Sequence, residues 1–272
     1  MNRALTPLAA GVYAWLADSP ADDIANAGVV LAEDGVTVID AGLTPQVAAP
    51  LAASIAELTP LPVKRLVLSG SHIDQVGGCS AFPLAGIYGS AQTSDHLDQP
   101  ANPEAWKRLH PSAADEFDDL VNRPVSHVIA EAAHLCPASI AVPLGGPQFE
   151  NLVVQVPSAN VVFTGCVASF GVVPLGFEAD FGAWIQTLDQ VATFGELFVP
   201  ARGPIGGTEE ILELRSYLEA CIEAGGDISR LADGPWKAWH QASFHEVNVE
   251  RAHMLANGDP SPPPAMLRLL GR

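Results

Sequence analysis

Leu68-Ser69-Gly70-Ser71-His72-Ile73-Asp74-Gln75-Val76-Gly77-Gly78 is a polar loop at the end of a short, largely apolar run, Val63 to Leu68. The run predicts a strand, and its carboxyl end is where open α/β sheets place ligands. Within the loop, His72 and Asp74 carry side chains able to bind a metal or move a proton. Gly70 offers none, and Gln75 is a weak ligand.

The segments on either side predict alternating strands and helices. Upstream, Gly11 to Leu16 and Ala27 to Leu31 read as strands, and Glu33-Asp34-Gly35 is a turn that pairs the second with Val36-Thr37-Val38-Ile39 as a hairpin. Asp40-Ala41-Gly42 closes that strand, and Thr44-Pro45 caps a helix that runs to about Leu58. Downstream, a more polar segment from about 95 to 133 predicts two helices outside the sheets. Leu152 to Pro157 and Val161 to Thr164 are strands around a Ser-Ala-Asn turn. Phe181 to Thr193 is a helix, Glu196 to Val199 a strand, and Thr208-Glu209-Glu210 opens a further helix with acidic residues in its first turn. A last helix spans about 244–257 and ends at Gly258, before an extended Pro260 to Pro264 tail.

At 272 residues the chain can bury its own core, and one domain over 1–272 is the simplest organisation. Acidic residues outnumber basic ones 31 to 13, so the field of the whole protein disfavours nucleic acid and anionic membranes as partners. No apolar stretch is long enough for a transmembrane helix, and Met1-Asn2-Arg3-Ala4-Leu5 leads into Pro7 without the apolar run of an export signal. Cys79, Cys136, Cys166 and Cys221 are widely spaced, which argues against a zinc knuckle and for a reduced, cytoplasmic protein.

The loop resembles the metal-binding signature of the metallo-β-lactamase superfamily, His-x-His-x-Asp-His followed by Gly. Other signatures of that family follow in order: Gly35 to Gly42, ending in Asp-x-Gly; Val76-Gly77-Gly78; Phe163-Thr164-Gly165; Val199-Pro200-Ala201-Arg202-Gly203-Pro204; and a late segment from His245-Glu246-Val247-Asn248 to Arg251-Ala252-His253. The resemblance spans about 8–258. It implies an α/β fold of the αββα four-layer type, with a helical elaboration at about 95–133 and a C-terminal helix at about 244–257.

Carried over position by position, the resemblance aligns the first metal site with Gly70, His72 and Pro147. The second aligns with Asp74, Gln75 and Arg202, and the bridging carboxylate with Cys166. Only His72 and Asp74 keep the family's ligands. A binuclear centre is not expected, since zinc wants three or four converging N, S or O donors and Arg202 brings a fixed positive charge. If a metal binds at all, the resemblance leaves His72, Asp74 and Cys166 to hold zinc or another divalent ion at one weak site. Asp40 is expected to support the loop structurally.

The favoured reading pairs Arg202 with Asp74 in place of the metal. The protein then binds a small molecule, an anion suiting Arg202, or has a regulatory role, in a pocket that includes Gly70, Gln75, Pro147 and Arg202. One alternative is an atypical single-metal hydrolase of esters, lactones or thioesters. The other is a metal-independent enzyme that uses Cys166 and His72, with Arg202 lowering the pKa of the thiol. A homo-oligomer is left open. Trp184 or Phe170 is expected in the pocket wall. His96, His110, His127 and His134 are read as solvated, and His240, His245 and His253 as surface or packing residues.

Overall fold

The computed structural model describes residues 4–19, 24–118 and 120–272. Met1-Asn2-Arg3, on which the expectation about an export signal partly rests, and residue 119 of the helical elaboration lie outside the described residues.

The first sheet opens with β1 (Leu5–Ala9), β2 (Val12–Trp15), β3 (Ala27–Ala32) and β4 (Gly35–Ile39), all antiparallel neighbours. Helix α1 (Pro45–Leu58) follows, capped by Thr44, whose side chain accepts from the Val47 amide. It returns the chain to β5 (Val63–Val67), parallel to β4. The sequence had led to these elements, apart from β1. The loop comes next and winds into the one-turn helix α2 (Ile73–Val76), after which β6 (Gly86–Gly89) extends the sheet in parallel.

Of the 95–133 elaboration, α3 (Ala91–Leu97) and α4 (Pro103–Leu109) account for the two helices, and a short 3₁₀ segment follows over Pro111–Glu116. The segment does not stay outside the sheet, however. Its end returns as β7 (His127–Val128), parallel to β6, because the backbone at Tyr88 and Gly89 offers an unpaired edge.

The second sheet contains β8 (Ala133–Cys136), β9 (Ser139–Leu144), β10 (Asn151–Val156) and β11 (Val161–Ser169) as an antiparallel series. Helix α5 (Phe181–Val191) crosses over to β12 (Leu197–Arg202), which lies parallel to β11. Helices α6 (Thr208–Glu223) and α7 (Phe244–Ala256) cover this sheet. After the proline-rich tail the chain forms α8 (Pro264–Leu269), a helix the sequence reading did not foresee.

Period-two alternation builds the layers. Val30, Ile39 and Val67 point inward to meet Leu152, Val154 and Phe163 between the sheets. Val29, Val38 and Leu66 point outward onto Ala48, Leu51 and Ile55 of α1. On the far side Val153, Val162 and Phe198 pack under Trp184, Leu188, Leu214 and Val249. The result is the expected αββα sandwich, with the carboxyl ends of β4, β5, β11 and β12 gathered at one edge.

Candidate functional site

At that edge Asp40 adopts a left-handed backbone conformation (φ 62°) and turns its carboxyl to the loop. Oδ1 accepts from the Ser69 amide and Oδ2 from the Ser69 hydroxyl, both at 2.7 Å. Burial pushes the Asp40 carboxyl up to about 7, against the two Ser69 bonds. β11 makes room for this cluster by bulging at Gly165, whose φ is 51°. A Cβ there would lie 2.1 Å from the Cβ of Ser69, so the residue must be glycine on both counts. Gly77 meets a similar constraint, since its Cβ would fall 1.8 Å from the carbonyl oxygen of Leu43.

The loop beyond Ser69 brings together most of the predicted site residues. Arg202, at the end of β12, donates from Nη2 to Asp74 Oδ2 at 2.8 Å, and Gln75 Nε2 donates to Asp74 Oδ1 at 2.7 Å. Burial would raise the Asp74 pKa, but the charge of Arg202, helped by His72 and His110, outweighs it and holds the carboxyl below its ordinary value. His72 stacks on Phe177, and its Nε2 lies 4.0 Å from Glu178 Oε2. Gln148, 1% exposed, accepts from the Ser71 amide and donates from Nε2 to Ser71 Oγ and to Glu178 Oε2 at 2.9 Å.

Two positions differ from expectation. Gly70 does not line the cavity. It lies behind the floor, where an added Cβ would meet Cys166 Sγ and Gln148 Oε1, each at 2.8 Å. Cys166 borders the cavity but is only 8% exposed, and its Sγ donates to Asn151 Oδ1 at 3.1 Å. Burial pushes its thiol well above the usual value, and Asp40 and Asp74 push it in the same direction. An Arg202-activated thiolate is not what this environment favours. Pro147 does line the cavity.

The cavity above this floor has a volume of about 450 Å³. Its walls come from α4 (Trp106, Leu109), from Leu175 and Phe177 after β11, and from Met266 and Leu270 at the C-terminus. Helix α7 positions the 174–178 loop: Asn248 bonds to the Pro174 carbonyl and the Gly176 amide, and buried Arg251 donates to the carbonyls of Glu178, Ala179 and Pro260. The expected aromatics lie elsewhere. Trp184 and Phe170 are core residues, with Trp184 Nε1 bonded to the Val167 carbonyl. Of the histidines read as solvated, His110 is 9% exposed and departs from expectation, while His96 is exposed and bonds to Ser71; both line the cavity.

Sequence reasoning missed Gln148, Glu178 and Phe177, whereas Trp106, read from the sequence as a core or pocket-wall residue, does line the cavity. Gln148 follows Pro147 directly and was the one within reach. Glu178 and Phe177 come to the site through a loop whose placement depends on α7 and α8.

The residues present do not fit the zinc centre this architecture usually carries. Arg202 Nη2 is already bonded to the carboxylate that would bind the cation, and the space a ligand at 70 would need is taken by Cys166 and Gln148. Among the described residues, no three His, Cys, Asp or Glu side chains are placed to hold one metal ion.

The family model of the metallo-beta-lactamase superfamily matches residues 20–210. The chain belongs to that superfamily. A metallo-beta-lactamase type 2 from Bacteroides fragilis is 36% identical over 89 residues, 29% of this chain and 34% of that enzyme, so the match spans about a third of the relative's length. Among solved structures, the metallo-β-lactamase FIM-1 from Pseudomonas aeruginosa in its mono-zinc form superposes with TM-score 0.63 at 18% identity, covering 80% of this chain and 96% of that one. The sec-alkylsulfatase Pisa1 from Pseudomonas sp. does so with TM-score 0.69 at 16% identity, covering 96% of this chain and 52% of that one. At these identities the likeness is one of fold.

Proposed function

We propose that this protein binds a small organic molecule in the cavity over His72, Asp74 and Arg202, and that it does so without the family's binuclear metal centre. The observation that carries the reading is the 2.8 Å contact between Arg202 Nη2 and Asp74 Oδ2. A guanidinium supplies the positive charge a metal would otherwise supply, as a fixed fork of N–H donors with no open coordination position. The hydrolytic activities named for the β-lactamase and sulfatase relatives depend on their own sites and do not transfer with the fold. Reaction at Cys166 is disfavoured by the burial of its thiol, and a single metal held by His72, Asp74 and Cys166 would have to displace Arg202. Four free, buried cysteines suit a reducing compartment. No described helix is long and apolar enough to cross a membrane.

The test is elemental analysis of protein purified without chelator, alongside native mass spectrometry for a co-purifying small molecule. We expect metal far below one per chain and no change in thermal stability on adding a chelator. Stoichiometric zinc, iron or manganese whose removal destabilises the protein would overturn the reading.

A further inference from the structure

Among the described residues, the charged groups lining the cavity do not balance. With the histidines neutral, Asp74 and Glu178 contribute two negative charges and Arg202 one positive charge. Asp74 and Arg202 neutralise each other, which leaves the Glu178 carboxylate, 28% exposed, as the surplus charge. Among the described residues, the donor hydrogen-bonded to it is the Gln148 amide, a neutral group. The same floor contains a second unmet acceptor: Gln75 is 1% exposed, its Nε2 is used by Asp74, and its Oε1 has no hydrogen-bond partner. His72 Nε2, also without a hydrogen-bond partner, can accept or donate according to tautomer. What suits Glu178 and the Gln75 oxygen is a further donor, and for the carboxylate a positive one. Above it, Trp106 and Phe177 present aromatic surface, which attracts cations as well as apolar groups, and Leu109 and Met266 extend the apolar wall.

We propose that the cavity takes a small organic ammonium ion with an apolar body, the ammonium against Glu178 and the body against Trp106, Phe177 and the aliphatic wall. This rests on the reading of the cavity as a small-molecule site and reverses the sign of ligand that Arg202 alone would favour. Ammonium-to-carboxylate hydrogen bonds in a partly desolvated cavity are among the strong ones.

The test is calorimetric titration at neutral pH and low salt with three probes that share a body: 4-phenylbutylamine, 4-phenylbutan-1-ol and 4-phenylbutyrate. The amine is expected to bind about tenfold more tightly than the alcohol, with the carboxylate weakest. Glu178→Gln should remove most of the amine's advantage while the alcohol's affinity stays within about twofold. If the variant does not fold, the head-group order on the wild-type protein decides. A carboxylate that binds tightest, or an amine no better than the alcohol, overturns the ammonium proposal and leaves the small-molecule reading intact. An absence of saturable binding by all three also overturns it, and metal content then decides whether the broader reading falls too.

Discussion

Arg202→Met removes the guanidinium and keeps most of the side chain's bulk. Asp74, with its side chain 8% exposed, is then left with one amide donor, Gln75 Nε2, and no counter-charge in direct contact. Removing one partner of a buried ion pair costs about 3–5 kcal/mol, because the remaining charge stays desolvated. Arg202 is 14% exposed. That puts the expected cost at the lower end, about 3 kcal/mol, or roughly 6–12 °C in midpoint for a chain of this size.

The pH dependence distinguishes this cause from general loosening. In the wild type the folded-state pKa of Asp74 lies below 3.8. Its contribution to stability is therefore present above the unfolded value and lost as pH falls through the folded one. Without Arg202 burial prevails, the folded pKa rises above 3.8, and the carboxyl destabilises the fold increasingly as pH rises from there. The deficit should be largest at neutral pH and shrink toward about pH 4. Urea unfolding at about pH 7.5 and 4.5 measures this for the wild type, Arg202→Met, Asp74→Asn and the double variant. Because no charge is left buried, the double variant should recover more than half of the loss. A cost below about 0.5 kcal/mol, a loss independent of pH, or strictly additive single effects would refute the reasoning.

Asp40→Asn should flatten a different pH dependence. The Asp40 carboxyl lies at about 7 when folded against 3.8 as its ordinary value, so wild-type stability falls as pH rises between them, by at most roughly 4 kcal/mol. Asparagine tolerates the left-handed backbone there, so the variant should gain on the wild type from pH 5 to 8 in the same urea assay. Equal slopes would count against a buried, titrating Asp40. Gly70→Ala should cost about 1–3 kcal/mol through overpacking against Cys166 and Gln148, and Cys166→Ala in the same chain should recover part of it. Recovery by an unrelated core truncation would speak against that contact as the cause. Gln75→His combined with Arg202→His should raise zinc retained after dialysis, measured by elemental analysis. Unchanged zinc would mean that the site is blocked by more than the missing ligands.

The layers of the fold were legible because they rest on local periodicity. Val29 and Val30, or Val38 and Ile39, announce their opposite faces, and Thr44-Pro45 announces a helix start. β6 and β9 were missed because glycine and proline interrupt their apolar runs, and β7 because it is two residues long and exists only as the edge of β6. The Arg202–Asp74 pairing could be reasoned from position and charge. Phe177 and Glu178 could not, since their loop is set by Asn248 and Arg251, whose bonds to it span 72 to 74 residues, and by the packing of α8. A site lined from both ends of the chain leaves little trace in any short window of sequence.

The residues that the sequence reading matched to the family's metal ligands are coupled in space. Gly70 has no side chain where Cys166 Sγ and Gln148 Oε1 now sit, and the Gln148 amide that fills that corner also holds Glu178. Arg202 brings a charge where a ligand would stand, and it uses the Asp74 oxygen a metal would need. Gln75 spends its amide on the other oxygen of the same carboxylate. Restoring one ligand therefore does not restore a centre: Gly70→His collides with Cys166 and Gln148, and Arg202→His alone strips Asp74 of its counter-charge. Intermediates with half the changes would carry either a buried unpaired carboxylate or a crowded floor, each costing on the order of a few kcal/mol. The metal-free use proposed above therefore calls for these residues as a set rather than one at a time.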